Sequence, residues 1–273
     1  MRGLASIVET LKVIVGKRWP LIVALFIVEI GTIVFVSNLA LSPSELSTYE
    51  NQYNSLAPVL NSSASGQVDA IFANNIKVAT IELVPAFGLV LLGLSIYETA
   101  RVVEVIGVMK GVPVALALAN LFILPSTWLE LPAYAIAAAE SVYLVFGIYL
   151  GFKNGLRYLV RELRFLLVSL LLIVGVLIVA AVFEVSEIQI ATGSPDGAFY
   201  ALLTWLPFGA VLAGVIVFWR RARRDAPDIE ARDASGGSSQ DGEDRGAPQT
   251  ESEKGGADGP TYSPSRDEGG ATP

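Results

Sequence analysis

Residues 112–152 read VPVALALANLFILPSTWLELPAYAIAAAESVYLVFGIYLGF, and this 41-residue stretch decides the fold. It is apolar except around LPSTWLELP at 124–132. The hydrocarbon core of a bilayer is about 30 Å thick and is crossed by about 20 helical residues. The stretch is therefore long enough for two crossings joined by a tight turn, which Pro125 and Pro132 mark because proline interrupts helices. We predict membrane helices at 112–131 and 132–152.

Four more apolar blocks of similar length lie on either side of this stretch. They predict crossings at 19–41, 78–96, 165–183 and 198–219. Composition agrees, because 53% of the residues are hydrophobic and 16% are charged, against roughly 25% charged in a soluble domain. The predicted fold class is all-α: a polytopic transmembrane helical bundle of residues 19–224 with six spans.

The distribution of Lys and Arg predicts the orientation of this bundle, since cytoplasmic connections carry the excess of positive charge. With the N-terminus inside, the outer connections contain only Lys77. The inner segments contain Arg2, Lys12, Lys17, Arg18, Arg101, Lys110, Lys153, Arg157, Arg161, Arg164, Arg220, Arg221, Arg223 and Arg224. Both termini are therefore predicted to be cytoplasmic in a multi-pass protein of the plasma membrane.

The two ends of the chain differ from the bundle. Residues 1–18 have apolar positions at helical spacing beside basic ones, which predicts an amphipathic lead-in helix on the inner membrane surface. Residues 225–273 contain 4 Lys/Arg and 12 Asp/Glu and are rich in Gly, Ser and Pro. This composition predicts a disordered acidic cytoplasmic tail. It is typical of a solvating extension, with docking of a basic partner as the alternative.

Residues 42–77 form the only long outer connection and are predicted to be an extracytoplasmic loop. Its Ser, Asn and Tyr side chains make it the natural contact surface. Asn61 begins an Asn-Ser-Ser sequon on the predicted outer side, so we note it as a candidate glycosylation site.

Carboxyl groups inside the membrane are the candidate polar site, because a charge there is costly unless it is paired, protonated or hydrated. The candidates, all placed between the midplane and the outer surface, are Glu29, Glu82, Glu130 and Glu140, together with the amide of Asn75. The only basic residue expected near them is Lys77. Two interpretations stay open: an outward-opening cavity for a cation, protons or a polar helix, and protonated carboxyls that bond neighbouring helices together.

The chemistry of known intramembrane enzymes is not supported. The chain has no Cys and no His, which excludes thiol nucleophiles, Ser–His pairs and histidine metal sites. It also has no GxxxxGK[ST] phosphate loop and no pair of membrane aspartates. We therefore expect a protein that is not an enzyme, with no catalytic residues, no metal and no cofactor.

Two segments carry a resemblance to a known family. IFANNIKVATIELVPAFGLVLLG provides Asn75, Gly88 and Gly93, and ILPSTWLELPAYAIAAAE provides Pro125, Glu130 and Ala133. Over about 70–152 the chain resembles the stage II sporulation protein M family, whose members have an Asn before small residues and Gly, then an LPHGxxELxA-like turn. This chain has Ser126 and Thr127 in place of the family's His-Gly and lacks its usual Asn-Gly after the second helix.

The resemblance implies a membrane scaffold that holds cell-wall-remodelling hydrolases in spore-forming cells. Our leading hypothesis is a non-enzymatic integral membrane protein acting as organiser or accessory subunit of a cell-envelope complex. The alternative is a transporter, or the permease subunit of an ATP-driven exporter, that uses the outer-half glutamates. The expected partners are the lipid bilayer and unidentified membrane or envelope proteins, and not nucleic acid; a homo-oligomer stays open.

Overall fold

A computed structural model of the chain describes residues 2–55, 57–193 and 200–236, and all regular elements in these ranges are helical. The helices are α1 Arg2–Val13, α2 Trp19–Val36, α3 Pro43–Asn54, α4 Ala57–Leu60, α5 Ala64–Glu82, α6 Gly88–Met109, α7 Val114–Ile123, α8 Thr127–Asn154, α9 Arg157–Gly193 and α10 Trp205–Gly236. A π-helical turn, Ile14–Arg18, joins α1 to α2, and a 3₁₀ turn, Leu202–Thr204, precedes α10.

Four of the described helices are long and apolar enough to cross a membrane: Ile7–Val36, Thr127–Asn154, Arg157–Ala191 and Leu202–Arg221. The chain divides into two units, Met1–Ala231 and Arg232–Pro273, and these helices belong to the first. The start of the tail predicted at 225–273 is helical, because α10 continues to Gly236. Residues 237–273 lie outside the described residues.

The lead-in segment predicted at 1–18 is helical from Arg2, and its place on the membrane surface stays a prediction. The helix that could cross the membrane already includes Ile7 and continues to Val36. The side chain of Ile14 is fully buried against Phe165 and Val168 of α9, which draws this segment into the bundle.

The crossing predicted at 78–96 is two helices. α5 ends at Glu82 and α6 begins at Gly88. The intervening turn contains Pro85, which interrupts helical hydrogen bonding, and Ala86 at a φ of 67°. The Oγ of Ser95 donates to the Glu82 carboxyl at 2.6 Å. In one straight helix these residues would be about 20 Å apart along the axis, so α6 folds back along α5 as a hairpin.

The second half of α6 lies beside the end of α2. Ser37 Oγ donates to the carbonyl of Ala100 at 3.0 Å, and Arg101 donates to the carbonyl of Leu39 at 2.7 Å. The sequence predicted that Arg101 and Lys110 lie at the opposite end of the bundle from 42–77. For Arg101 this is wrong, because it contacts Leu39 next to that segment. Counting 78–96 as one crossing reversed the side assigned to the next connection.

The break between α7 and α8 spans Leu124–Ser126 and contains Pro125. The boundary predicted between 131 and 132 is wrong, because Pro132 lies inside α8. A proline there removes the hydrogen bond to the carbonyl four residues earlier, and α8 continues in spite of it. α8 and α9 then pack closely, since a Cβ at Gly147 would lie 2.4 Å from Glu162 Cγ.

Tryptophans mark both ends of the apolar bundle, as is usual at membrane interfaces. Trp19 and Trp219 meet edge to face with ring centroids 6.0 Å apart. At the other end, Trp128 and Trp205 donate to the carbonyls at the end of α7. We call these the inner and outer ends, after the predicted orientation.

Candidate functional site

Five carboxyl groups from four helices meet in the interior of the bundle. This carboxyl chain consists of Glu29 on α2, Glu82 on α5, Glu130 on α8, and Glu184 and Glu187 on α9. Tyr134 of α8 lies at its centre, within electrostatic reach of Glu29, Glu82, Glu130 and Glu184. Glu130 and Tyr134 are four residues apart, so both point from the same face of α8.

At the outer end of the carboxyl chain the carboxyls have polar partners. Asn75 Nδ2 donates to Glu130 at 2.8 Å, and the carboxyl groups of Glu130 and Glu184 lie within hydrogen-bonding reach of each other. Glu187 accepts from Ser126 Oγ at 2.7 Å. Because Ser126 is the residue that precedes α8, Glu187 ties the start of α8 to α9.

The deeper carboxyls have few partners. Glu29 is fully buried, and neither of its oxygens has a hydrogen-bond partner. Glu82 is 1% exposed; one of its oxygens accepts from Ser95 and the other has no partner. Within the described part of the chain, no ion pair involves a member of the carboxyl chain.

An ionised carboxylate in this position is unfavourable. Burying an unpaired charge in an apolar interior is so costly that such a group neutralises or acquires a counter-ion. The described residues contain no group of three or more Asp or Glu side chains arranged to hold a metal ion. The arrangement therefore suits neutral carboxyl groups better than a metal site.

Glu140 belongs to a different cluster, so the prediction that grouped it with the outer carboxyls is wrong. Arg18 donates to Glu140 at 2.5 Å and also to Glu162, and it is 6% exposed. Its guanidinium lies 4.2 Å from the ring centroids of both Tyr143 and Phe165. We call Arg18, Glu140 and Glu162 the inner ion cluster; it joins α2, α8 and α9.

The depth of Glu140 explains this error. Measured from Pro132, Glu140 was expected about 12 Å below the outer edge. α8 starts at Thr127 instead, which places Glu140 about 20 Å along the helix at 1.5 Å per residue. It therefore reaches the level of Arg18.

The segment predicted as a loop at 42–77 is folded. Together with the second half of α6 it forms what we call the outer platform, residues 39–67 and 97–104. Ser42 and Glu45 form a reciprocal capping box at the start of α3, and Tyr97 of α6 donates to Glu45 at 3.3 Å. Glu104 accepts from the Leu41 amide at 3.2 Å and pairs with Arg101 at 2.8 Å.

A polar cavity of about 350 Å³ opens between α3 and α6 on this platform. It is lined by Ser44, Glu45, Thr48, Tyr49, Gln52 and Glu98. Hydrogen bonds from Ser42 lower the pKa of the Glu45 carboxyl, and burial raises the pKa of the Tyr49 hydroxyl to about 12. The platform thus presents an anion and hydroxyl groups on a hydrogen-bonded frame.

The remaining sequence-predicted residues fall into three places. Gly88 lies against α8, where its Cβ would be 2.1 Å from Ser141 Oγ, whereas Gly93 faces open space. Ala133 is fully buried beside Ala79 of α5. Asn61 is exposed in the turn between α4 and α5, and its glycosylation stays a prediction.

Five residues of these two clusters were not predicted as site residues: Arg18, Tyr134, Glu162, Glu184 and Glu187. Glu184 and Glu187 follow directly on the span predicted at 165–183, and their three-residue spacing on a helix was the available signal. Arg18 follows Lys17 and was therefore assigned to the membrane surface, and no sequence signal separates the two.

Of the comparisons with known proteins, the one with protein families gives a match. Residues 22–186 match the protein-family model described as Stage II sporulation protein M. This stretch contains every member of the carboxyl chain except Glu187. No curated protein and no solved structure matches the chain.

Proposed function

Because the chain belongs to the stage II sporulation protein M family, we propose that it is a non-enzymatic integral membrane protein that organises a cell-envelope complex. The observation that supports this proposal best is the outer platform. A segment without a long apolar stretch is folded into helices and is held against α6 by hydrogen bonds that Tyr97 and Arg101 donate to Glu45 and Leu39. Ser37, at the end of α2, donates to Ala100 and attaches the platform to the bundle. A surface that is ordered before binding loses less conformational entropy when a partner docks.

The proposed topology places this platform outside the cell membrane. α2 crosses outward, α5 and α6 enter as a hairpin and return, α7 and α8 cross inward together, α9 crosses outward and α10 crosses inward. The clusters of Lys and Arg at both termini and at the α8–α9 turn then lie inside, as the positive-inside rule requires. Arg101 and Lys110 lie outside, with Arg101 neutralised by Glu104, whereas Lys77 lies at an exposed position of α5 between Asn75 and Glu82.

Site-specific photo-crosslinking tests the proposal. A photoreactive residue replaces Thr48 or Gln52, which are exposed on the platform, or Val215, which is 55% exposed on the apolar surface of α10. We expect discrete protein adducts from the platform positions and only lipid adducts from Val215. Absence of protein adducts at both platform positions would contradict a docking role for the platform. The same protein adducts from Val215 would also contradict it.

A transport function is the second candidate, and the unpartnered carboxyls of Glu29 and Glu82 favour it. Buried ionisable groups in membrane helices commonly mark ion or substrate pathways. The test is flux in proteoliposomes with Glu29→Gln and Glu82→Gln combined, beside Glu45→Gln as a control on the platform. A flux that is the same in the double variant and the control would contradict this candidate.

A further inference from the structure

The carboxyl chain has partly exposed and enclosed members, and Glu187 at its outer end is 2% exposed. Glu130 and Glu184 are partly exposed, Glu82 is 1% exposed and Glu29 is fully buried. Tyr134 is within electrostatic reach of both the partly exposed and the buried members. Polar groups therefore continue from the surface at the start of α8 to the middle of α2.

The Glu130–Glu184 contact itself requires a proton. Both side chains end in carboxyl groups, and an ionised carboxylate only accepts hydrogen bonds. A hydrogen bond between the two groups therefore exists only when one of them carries a proton. Two carboxylates this close cannot both ionise without strong repulsion.

Glu29 provides a second, independent observation. Its two oxygens have no hydrogen-bond donor among the described residues, and another acid, Glu82, is within electrostatic reach of it. A metal cation would need several oxygen ligands, and the described residues offer no such group. A proton needs only one oxygen.

We propose that the carboxyl chain is a proton-binding site that is loaded from the outer end of the bundle through the Glu130–Glu184 pair and ends at Glu29. The ligand is H⁺ taken from water, and each occupied carboxyl gains one proton and loses one negative charge. The proposal rests on the geometry of the bundle interior and does not depend on the organiser function.

The polar groups that the described residues place against the carboxyl chain come from several elements. They are Asn75 from α5, Ser95 from α6, Ser126 before α8, Tyr134 from α8, and Thr204 before α10. All are neutral side chains. The inner ion cluster lies beyond them, where Arg18 is already paired with Glu140 and Glu162.

Infrared spectroscopy of the full-length protein in phosphatidylcholine vesicles tests the proposal, because protonated and ionised carboxyl groups absorb at separate frequencies. We expect a protonated-carboxyl band at neutral pH, with a distinct component lost in Glu29→Gln and another in Glu82→Gln. Glu45→Gln is the control, because this carboxyl, bonded to Ser42, has a lowered pKa and contributes nothing to the band. A wild-type protein without the band, or a double variant that keeps it unchanged, would overturn the proposal.

Transfer to D₂O tests loading from the outer end. We expect the band of Glu29 and Glu82 to exchange more slowly in Glu130→Gln than in wild type; equal rates would overturn this route. If the glutamine variants do not fold, dicyclohexylcarbodiimide provides a test on the wild type, since it modifies protonated carboxyls in apolar surroundings. Adducts mapped to Glu29 or Glu82 support the proposal, and adducts confined to other carboxyls contradict it. None of these results depends on partner binding, so they leave the crosslinking test of the organiser function separate.

Discussion

Gly88→Ala tests the hairpin turn that distinguishes this fold from a simple series of crossings. A Cβ at residue 88 would lie 2.1 Å from the Glu82 carbonyl oxygen, 2.1 Å from Ser141 Oγ and 2.6 Å from Ser141 Cβ. The Glu82 oxygen is backbone and cannot rotate away, so the upper part of the usual overpacking cost applies, about 3 kcal/mol. Replacing a glycine within a helix returns about 1 kcal/mol; Gly88 is the first residue of α6, so less than this is returned and the net loss is at least about 2 kcal/mol.

Gly93→Ala is the matched control on the same helix. No atom lies within 4 Å of a Cβ at this position, so only the gain in helix propensity applies, about 1 kcal/mol. For a domain of this size 1 kcal/mol corresponds to about 2–4 °C in Tm. Thermal unfolding in detergent, followed by circular dichroism, should therefore show Gly88→Ala about 4–8 °C below wild type and Gly93→Ala slightly above it.

Ser141→Gly in the Gly88→Ala background should restore part of this loss, because it removes the contacts with Ser141 but not the contact with the Glu82 carbonyl. Equal Tm values for Gly88→Ala and Gly93→Ala would refute the close approach of the turn to α8.

Three further predictions concern the polar contacts. Arg18→Met leaves Glu140 buried without a counter-ion and leaves Glu162 with only the more exposed Arg161, so it should cost about 3–5 kcal/mol. Arg161→Met removes only the 3.3 Å pair with Glu162, and because the Arg161 side chain is 54% exposed this should cost less than about 1 kcal/mol. Equal unfolding midpoints would contradict the inner ion cluster. Asn75→Leu removes the donor to Glu130 and should cost about 1–3 kcal/mol, whereas Asn51→Leu at an exposed position of α3 should change the midpoint little. Because the pKa of Glu45 is lowered, the contribution of its carboxylate to stability is complete above the ordinary pKa of 4.5 and is lost as the pH falls below that value. Amide exchange in the first turn of α3 should therefore accelerate in acid for wild type but not for Glu45→Gln.

The all-helical class and the long apolar helices follow from composition and from the length of the apolar blocks. The hairpin does not, because hydropathy cannot tell a proline that a helix accommodates from one at which the chain reverses. Pro132 is accommodated within α8, whereas Pro85 lies in a reversal. What decides the difference is the packing of Gly88 against Ser141, and this contact joins residues far apart in the sequence.

Only part of the candidate site could be predicted, because its contacts also join residues far apart in the sequence. Glu29, Glu82 and Glu130 stand out as acids within apolar blocks, and Asn75 as an amide beside one. Their partners do not stand out, since Tyr134, Ser95 and Ser126 are common in membrane helices. Only the side of the helix that faces α8 distinguishes Arg18 from Lys17. Which side this is depends on the continuous helix from Ile7 to Val36.

The most direct test of the central claim is the side of the membrane on which Lys110 lies. The chain has no cysteine, so a single Cys at Lys110, Asn61 or Lys153, all exposed positions, can be labelled in intact cells with a membrane-impermeant maleimide. The hairpin predicts that Lys110→Cys is labelled as readily as Asn61→Cys, while Lys153→Cys is protected until the membrane is permeabilised. Protection of Lys110→Cys together with Lys153→Cys would contradict the hairpin and the outer platform built on it.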